Sequence, residues 1–406
     1  MSAQRHGFSR RSGLGLGVIF VLASLAPNVA HAAGVAPACG GSFSDWLVDL
    51  RTEARAAGHA PKLIDAFLRS AAPDPKVLQA DRAQGVFRKS FLEFSSALIS
   101  QNRLQNAKRS ATKQATVFDQ IVSEYGIDPG ILLAFWAFET DFGKVQGDFN
   151  TRNALLTLAH DCRRPAIFRP QILAALTLFE RGGFDPDQTT GAWAGEIGMV
   201  QMLPRDILAH GIDGDGDGRV DLKTSAPDAL HSAAHKLAAL GWQSGEPWLQ
   251  EVRVPQTLNW QLSGLDKSLP VAHWKKLGIT PQHGTLPSGL TAALILPQGH
   301  QGPAFLAYPN FQTLFAWNQS FVYVTTAAYF ATLITGAPPL VPGTPPAILG
   351  TGQMQALQQK LAQRGHDVGK IDGILGAATR AAVQAEQARL GLPADAWPTA
   401  ELLNRL

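Results

Sequence analysis

The sequence predicts a mainly α-helical (α+β) fold with a small β-containing insertion, a linker and a small C-terminal unit of three helices. Apolar residues recur at helical spacing near the start of the 406-residue chain, as at Phe43, Trp46 and Leu50. Between 250 and 310, proline, glycine and short apolar runs replace that pattern and favour strands. Five prolines within 336–346 then mark a domain boundary.

The first 32 residues have the pattern of a cleavable secretory signal peptide. Arg5, Arg10 and Arg11 form a basic start, an apolar run follows over 14–25, and Ala-His-Ala at 30–32 supplies a cleavage site. The apolar run is too short to span a membrane comfortably. Beyond this leader the chain has 32 basic and 32 acidic residues, so its charge gives no reason to expect nucleic-acid binding. We expect an exported, soluble protein.

The chain has two cysteines, Cys39 and Cys162, and both follow the predicted cleavage site. In an oxidising compartment, one disulfide joining the mature N-terminus to the middle of the chain is the natural expectation. The alternative is a pair of buried, unpaired thiols.

Helices are predicted over 43–125, 154–181, 226–241 and 324–335. Within the first of these segments, a second aromatic stripe recurs at helical spacing, formed by Phe87, Phe91, Phe94 and Leu98. Asp128 followed by Pro129 predicts the start of a further helix, because Asp is a good N-cap and Pro suits the first helical position.

Glu139 is the leading candidate for a catalytic residue. It lies in this further helix beside a predicted core stripe, made of Ile131, Phe135, Phe138 and Phe142. An ionised Glu is rarely placed among large apolar side chains unless it is paired or functional. Because burial raises the pKa of a carboxyl, such a residue can serve as a general acid. The alternative is a structural role in capping a helix or holding a loop.

A second motif, over 192–204, places small residues around Gln201 and Pro204. Glycines at 195 and 198 would let the backbone approach a ligand closely, and the Gln201 amide could bind a hydroxyl or an amide. Taken alone, the segment is also what a tight loop between helices looks like.

The third motif is an acidic loop over 213–228 that follows the spacing of a calcium loop. We expect its ligands to be Asp213, Asp215, Asp217, the backbone carbonyl of Arg219, and Asp228. Thr224 stands at position twelve, where an EF-hand has a bidentate Glu, and Asp228 could replace that carboxylate from a longer loop. The alternative is a solvated turn. The mutual repulsion of these carboxylates favours a structural Ca²⁺.

These motifs, in this order, resemble the membrane-bound lytic murein transglycosylase B family over roughly 43–335. The resemblance rests on E-T-x-x-G at Glu139, A-G-x-x-G-x-x-Q-x-x-P over 194–204, the acidic loop, and a late segment over 310–323. The C-terminal segment is similar to peptidoglycan-binding domains, with Ile-Asp-Gly at 371–373 among its markers. The resemblance implies a lysozyme-like helical catalytic domain.

The resemblance further implies cleavage of the β-1,4 bond between N-acetylmuramic acid and N-acetylglucosamine, with an anhydro-muramyl product and Glu139 as sole acid and base. The substrate-binding residues that it implies are Gln201, Arg163 or Arg164, Trp317, Asn318, Ser320 and Tyr323. In the predicted catalytic domain, Trp317 departs from the family pattern by replacing a tyrosine, and Lys236 belongs to a pair, His235-Lys236, that replaces Asn-Tyr. In the C-terminal unit, Glu386-Gln387 takes the place of the usual Phe-Gln, and Asp395-Ala396 that of Asp-Gly.

Two other functions stay open at this point. A muramidase that uses water would need a second carboxylate, for which Glu196 and Asp141 are the candidates. A catalytically idle wall-binding scaffold is the other alternative.

The expected organisation is a signal peptide over 1–32, a catalytic domain over 33–335, a linker over 336–350 and a peptidoglycan-binding domain over 351–406. We expect a periplasmic monomer that binds peptidoglycan glycan strands, has no stable membrane anchor and needs no organic cofactor.

Overall fold

The structure is a computed structural model that describes residues 39–83 and 89–406. The predicted signal peptide, and Phe87 of the predicted aromatic stripe, lie outside the described residues.

In the described part of the chain, six helices precede the one that carries Glu139. They are α1 (Phe43–Ala56), α2 (Pro61–Leu68), α3 (Pro75–Arg82), α4 (Phe91–Leu98), α5 (Gln101–Lys113) and α6 (Ala115–Tyr125). Local chemistry sets their starts. Ser90 and Glu93 form a reciprocal capping box on α4, and the Asp74 carboxylate accepts the Lys76 N–H at the start of α3.

Helix α7 (Pro129–Thr140) is the central helix of the larger core. The Asp128 carboxylate accepts the Gly130 N–H at 2.7 Å and starts the helix as predicted. Every residue from Gly130 to Thr140 is buried, so the helix is packed on all sides and is not amphipathic. Phe142 lies beyond the end of the helix, because the chain turns left-handed at Asp141 and Phe142, but it still packs, partly buried, against the core that contains Ile131, Phe135 and Phe138.

The predicted helix over 154–181 is two helices, α8 (Thr151–His160) and α9 (Pro165–Glu180). The break between them contains Cys162, which forms a disulfide with Cys39. This pairing confirms the predicted disulfide, and it fastens the start of the described chain against the end of α8. Two further helices, α10 (Pro204–His210) and α11 (Ala226–Ala239), follow.

Two small sheets contain the strands. The first pairs β1 (Phe149–Asn150) with β2 (Thr190–Gly191). The second is antiparallel, has the order β4-β6-β7-β3-β5 and forms the predicted β-containing insertion. Its strands are β3 (Leu249–Arg253), β4 (Ser268–Pro270), β5 (Thr280–Pro281), β6 (Thr291–Ile295) and β7 (Phe305–Ala307), with α12 (Val271–Lys276) after β4.

The catalytic part closes with α13 (Pro309–Trp317) and α14 (Phe321–Ile334). Helix α14 packs along α7, where the rings of Phe138 and Phe330 stack with centroids 5.1 Å apart. Phe138 also contacts Tyr323, with ring centroids 6.1 Å apart, so the first turn of α14 lies beside the last turn of α7, which carries Glu139.

The proline-rich segment lies along the catalytic part. The Leu340 N–H donates to Tyr329 Oη at 3.1 Å, and the Val341 N–H donates to the Glu251 carboxylate at 2.8 Å. Further on, the Thr344 N–H donates to the Gln301 carbonyl at 2.9 Å. The segment is therefore held along its length.

The C-terminal unit has the three predicted helices, α15 (Thr351–Gln363), α16 (Ala377–Arg389) and α17 (Ala400–Arg405), around a core of its own. Helix α16 docks on the sheet region, where the Gln384 amide donates to the Ser263 carbonyl at 2.9 Å. His300 Nδ1 lies 2.6 Å from the Asp395 carboxylate in the same contact.

No single helix among the described residues is long and apolar enough to cross a membrane. Helices α6 and α7 reach the required length and apolarity only as a pair, and they are bent by 119° relative to each other.

Candidate active site

Glu139 lies in the last turn of α7 and its side chain is fully buried. The Tyr323 hydroxyl donates to Glu139 Oε1 at 2.5 Å. The other carboxyl oxygen, Oε2, has no hydrogen-bond partner among the described residues. A buried oxygen without a partner is costly, so Oε2 is placed to meet a donor or acceptor that arrives with a ligand.

The pKa of Glu139 is raised well above its ordinary value. Burial is the main cause, since it disfavours the charged carboxylate. The hydrogen bond from Tyr323 lowers the pKa, the nearby carboxyl of Glu196 raises it, and Lys236 lowers it. Burial therefore favours the protonated form of Glu139, which is the form that a general acid requires.

Tyr323 is held by the first turn of α14. Ser320 is the N-cap of this helix, and its side chain accepts the Tyr323 N–H at 3.4 Å. The Asn318 side-chain carbonyl accepts the Ser320 N–H at 2.9 Å. Asn318 and Ser320 thus fix the backbone at the start of α14, from which the Tyr323 side chain reaches Glu139. The pKa of Tyr323 is raised well above its ordinary value, first by burial and then by Glu139, so its hydroxyl stays a donor.

The segment 192–204 forms a tight loop beside the end of α7. Gln201 has a left-handed φ of 52° and donates its amide to the Gly198 carbonyl at 2.8 Å. Its side-chain oxygen is buried and unpartnered among the described residues. The Thr140 hydroxyl donates to the Met199 carbonyl at 2.7 Å and joins this loop to the turn that holds Glu139.

Glycine is required at two positions of this loop. A Cβ at Gly195 would lie 2.3 Å from the Leu155 side chain, and one at Gly198 would lie 2.4 Å from the Leu222 carbonyl. Both residues also have φ near 85–90°. These two glycines were predicted to let the backbone approach a ligand closely. In the structure they allow the loop itself to pack against Leu155 and Leu222.

Glu196 is a second buried carboxyl in the site, with 1% of its surface exposed. Burial raises its pKa to about 7, while the backbone N–H groups of Glu196 and Ala194 and the charge of Arg164 lower it. Asp141, the other candidate for a second carboxylate, faces away and pairs with Arg103 and Lys144. Of the two candidates for a second carboxylate, Glu196 is therefore the one that lies in the site.

Trp317 and Lys236, which both depart from the family pattern, contact each other. Lys236 Nζ lies 4.4 Å from the centre of the Trp317 ring and donates to the Asp206 carboxylate at 2.8 Å. Trp317 also stacks on Phe135, with centroids 5.1 Å apart. These contacts join α11, α13 and α7 beside Glu139.

Arg163 and Arg164 both form ion pairs with Asp81, which is 1% exposed. The separation between Arg163 Nη1 and Asp81 Oδ2 is 2.7 Å. Arg164 acts on Glu196 through its charge, so it lies near the site. The structure places Arg163 on the outer side of this pair, 40% exposed.

The acidic loop brings Asp213, Asp215 and Asp228 together, with one carboxylate oxygen of each within 4.8 Å of the others. Asp228, at the start of α11, thus places its carboxylate in this cluster, whereas Thr224, at position twelve of the loop, has no carboxylate to offer. Its oxygens also accept the backbone N–H groups of Gly214, Asp215 and Asp221. Asp217 is not part of this cluster, and its carboxylate accepts the Arg219 N–H at 2.9 Å. An all-oxygen donor set of this kind fits a hard divalent cation.

Comparison with known proteins assigns this geometry to a family. The transglycosylase SLT domain family matches residues 42–332, and the peptidoglycan binding domain family matches residues 351–406. The chain belongs to the SLT transglycosylase family. Its C-terminal unit is a peptidoglycan-binding domain.

Three relatives show how far the likeness extends. SltB3 from Pseudomonas aeruginosa, solved in complex with NAG-anhNAM-pentapeptide, is 35% identical and has a TM-score of 0.83, over 90% of this chain and 99% of that one. The membrane-bound lytic murein transglycosylase B of Escherichia coli (strain K12) is 26% identical over 270 residues, which are 64% of this chain and 72% of that protein. Slt35 of Escherichia coli, solved with calcium, is 23% identical and shares the fold, with a TM-score of 0.63 over 73% of this chain and 95% of that one.

The predicted family, fold class and enzyme class are confirmed: the protein is a mostly helical lytic transglycosylase of the SLT family acting on peptidoglycan. The individual roles assigned to its residues stay predictions. The structure brings Glu139, Gln201 and Tyr323 into one site, with Asn318 and Ser320 behind Tyr323.

Two residues that organise the site of this transglycosylase were not predicted from its sequence. Asp81 holds the arginine pair, and Asp206 holds Lys236. Asp81 lies in α3, and the two adjacent arginines with which it pairs follow at least 82 residues later in the chain. No spacing pattern in the sequence therefore predicts this contact. Asp206 and Lys236 lie on different helices, so their pairing depends on how α10 packs against α11.

Proposed function

We propose that this transglycosylase cleaves the β-1,4 bond between N-acetylmuramic acid and N-acetylglucosamine and leaves 1,6-anhydro-N-acetylmuramic acid ends. The observation that carries the proposal is the state of Glu139: it is buried, its pKa is raised well above the ordinary value, one oxygen is bonded to Tyr323, and the other is unpartnered among the described residues. SltB3 has been solved with NAG-NAM-pentapeptide and with NAG-anhNAM-pentapeptide, so this relative binds both the ordinary and the anhydro form of the muramyl sugar.

The proposed proton path uses Glu139 twice. Its O–H donates to the glycosidic oxygen as the bond from that oxygen to the muramyl C1 breaks. The resulting carboxylate takes the proton from the muramyl C6 hydroxyl while the C6 oxygen bonds to C1 and closes the anhydro ring. One carboxyl suffices because the nucleophile is part of the substrate and is held at high effective concentration. Ordinary glycosidases need two carboxyls.

The proposed substrate contacts follow from the unpartnered acceptors in the site. Gln201 Oε1 is buried without a partner among the described residues, and a sugar hydroxyl or an N-acetyl N–H would satisfy it. Trp317 would stack on a sugar ring, which requires Lys236 to leave the ring face. We assign supporting roles to Asn318, Ser320 and Tyr323, and binding of the substrate's carboxylates to Arg163 or Arg164.

We further propose that Asp213, Asp215 and Asp228 hold a structural Ca²⁺, with the Arg219 carbonyl and Asp217 adjacent. Their carboxylates converge without any cationic side chain between them, which favours a bound cation over mutual repulsion. Bound there, the ion would neutralise the loop and hold it against α11, and it would take no part in the proton path.

The proposed organisation is a signal peptide over 1–32, a catalytic domain over 33–335, a linker over 336–350 and a peptidoglycan-binding domain over 351–406. We place the mature protein in the periplasm as a monomer without a stable membrane anchor. Its substrate is found there, and the leader has the basic, apolar and small-residue parts of a cleavable signal.

Product analysis of the Glu139→Gln variant tests the function. Wild-type protein should release anhydro-muramyl fragments from purified sacculi, detected by mass spectrometry. Glu139→Gln keeps the size of the side chain but has no proton to donate, so the rate should fall by about 10²–10⁴-fold with the fold retained. Full activity of a folded Glu139→Gln variant would contradict the proposal.

A hydrolytic muramidase is the second candidate, and the presence of Glu196 near Glu139 favours it. The same mass spectra separate the two reactions, because a muramidase adds water and leaves reducing muramyl ends.

A further inference from the structure

A cavity for which the proton path above has no use borders helix α7 at Trp136. Its volume is about 480 Å³, which lies in the range of ordinary ligand sites. Its walls include the face of α5 that carries Arg109 and Lys113, Trp136 itself, the beginning of α11, and two residues beside the end of α7, Phe142 and Met199. We call it the α5 cavity.

The α5 cavity lies beside the turn that carries Glu139. Trp136 precedes Glu139 by three residues, so their side chains are neighbours on the surface of α7. The left-handed turn after the helix brings Phe142 back against Trp136, with ring centroids 5.6 Å apart. The carbonyl of Met199 accepts the Thr140 hydroxyl at 2.7 Å. A ligand in the cavity would therefore touch the elements that hold Glu139 in place.

The charged groups around the cavity are mainly cations. Arg109 and Lys113 are exposed on its α5 wall, and neither forms an ion pair with a described residue. Lys144, from the turn after α7, also lines the cavity and pairs with Asp141 at 3.3 Å. The acid among the described lining residues is Asp215, which belongs to the proposed Ca²⁺ site. This balance of charge favours an anion as the ligand.

The Trp136 side chain adds a donor that lacks an acceptor. It is 5% exposed, and its Nε1–H is buried without a hydrogen-bond partner among the described residues. An indole N–H can only donate, and a buried donor without an acceptor is costly. An oxygen that enters the cavity with a ligand would satisfy it. The N–H and the cations therefore favour the same chemical group, a carboxylate or another oxyanion.

Peptidoglycan carries carboxylates on its peptides. Once a peptide is attached to the muramyl lactyl group, the sugars of the glycan strand are uncharged and the remaining carboxylates belong to the peptide. A glycan strand bound at Glu139 keeps its own peptides close by, so weak contacts in the cavity act at high effective concentration. The arginine pair beside Asp81 is already engaged by that residue, whereas Arg109 and Lys113 are available for a ligand.

We propose that the α5 cavity binds a peptide of the glycan strand through its carboxylates. Arg109 and Lys113 attract the charge from α5, Lys144 attracts it from the turn after α7, and the Trp136 N–H donates to a carboxylate oxygen as the peptide packs against Phe142. The site deepens the proposed function and rests on it. It selects glycan strands that keep their peptides and takes no part in the proton path.

Glycan strands in three forms test the site as substrates of the wild type. One form has no peptides, one carries peptides with free carboxylates, and one carries peptides whose carboxylates have been converted to amides. The KM for the free-carboxylate form should be lower than the KM for the other two, because only that form brings an anion to the cavity. Equal KM values for the free-carboxylate and amidated forms would contradict the proposal.

The double variant Arg109→Gln, Lys113→Gln tests the residues. It removes two exposed charges and should raise the KM for free-carboxylate strands, relative to the KM for amidated strands, by about three- to tenfold. Lys108→Gln is the matched control, because Lys108 is exposed on the same helix and is not among the residues that line the cavity. Its KM ratio should equal that of the wild type.

The Trp136 N–H allows binding to be measured directly. Its indole ¹⁵N–¹H signal is identified as the one that is missing from Trp136→Phe. Titration of the wild type with a stem pentapeptide should shift this signal, because the N–H gains an acceptor, and the amidated pentapeptide should shift it less. If inorganic phosphate at the same concentration shifts it as far as the pentapeptide, the cavity takes any oxyanion and the assignment to a peptide is wrong.

The outcomes are separable from those of the proposed function. Absence of anhydro products from all three forms of glycan strand would reject the proposed function. Normal anhydro products with an unchanged KM ratio in the double variant would reject the peptide site alone. Because Arg109 and Lys113 are exposed, their variants should fold, and the kinetic comparison decides the question even if Trp136→Phe does not fold.

Discussion

Lys236 Nζ lies 4.4 Å from the centre of the Trp317 ring, so two residues that depart from the family pattern form one contact. Asp206 holds the ammonium group from the other side at 2.8 Å, and Phe135 supports the ring by stacking. A tyrosine at 317 would place a hydroxyl here, whereas tryptophan offers a larger face to a cation. The two changes therefore depend on each other.

The Trp317 contact predicts a defect in binding. Trp317→Ala should raise KM for soluble glycan fragments by about tenfold or more, because stacking of an aromatic ring is lost, while kcat changes less. Trp317→Phe keeps a ring and should recover most of the affinity. Steady-state kinetics of both variants measures the split, and a fall in kcat with KM unchanged would place Trp317 outside the binding surface.

The hydrogen bond from Tyr323 to Glu139 predicts a pH effect of known sign. This bond lowers the pKa of Glu139, so its removal in Tyr323→Phe should raise that pKa further. The acid form then persists to higher pH, and the alkaline limb of the rate profile should move upward. Because the carboxylate formed during the reaction also loses its donor, kcat should fall by about tenfold or more. A limb that moves downward would contradict this account.

The fold class and the residues of the site could be predicted because each depends on local pattern. Asp128 and Pro129 mark the start of α7, and Glu139 stands out as a carboxyl among aromatic residues. Asp228 could be proposed as a replacement ligand because it follows the loop directly. In each case the signal lies within about a dozen residues, where the spacing of side chains along the chain determines their arrangement.

What could not be predicted depends on contacts between distant elements. Phe142 has helical spacing, yet the helix has already ended at Thr140, since the next residues turn left-handed to let the loop at Met199 pack. The break at 161–164 is a different case, because Pro165 at the first position of α9 is a local signal that the interpretation of 154–181 as one helix missed. Ala396 also departs from a family glycine, and its φ of 62° shows that the turn keeps the conformation a glycine would favour.

Removal of the metal predicts a loss of stability. Excess EDTA should lower the melting temperature, because an ion present at about 100 times its dissociation constant stabilises the folded state by about 3 kcal/mol. Asp215→Ala should melt at a lower temperature than the wild type and show no further change with EDTA. Addition of Ca²⁺ should restore only the wild type. Equal melting temperatures for metal-stripped and Ca²⁺-loaded wild type would remove the calcium proposal.

The docking of the C-terminal domain predicts that the two domains move and melt together. Gln384 donates to the carbonyls of Ser263 and Ala394 at 2.9 Å, and the Asp395 carboxylate accepts the His300 N–H at the same distance. Because these groups are buried, loss of one partner leaves the other unsatisfied, at a cost of about 1–3 kcal/mol each.

The double variant Gln384→Ala, Asp395→Ala should therefore release the domain. Small-angle X-ray scattering should show a larger radius of gyration than the wild type, and calorimetry should separate one transition into two. Glu401→Ala is a suitable control, since Glu401 lies on α17 and makes only an exposed pair with Arg405. The linker contacts of Leu340, Val341 and Thr344 and the hydrogen bond from Arg380 to the Pro297 carbonyl are unchanged in the double variant, so a domain that remains docked would show that these contacts suffice to hold it.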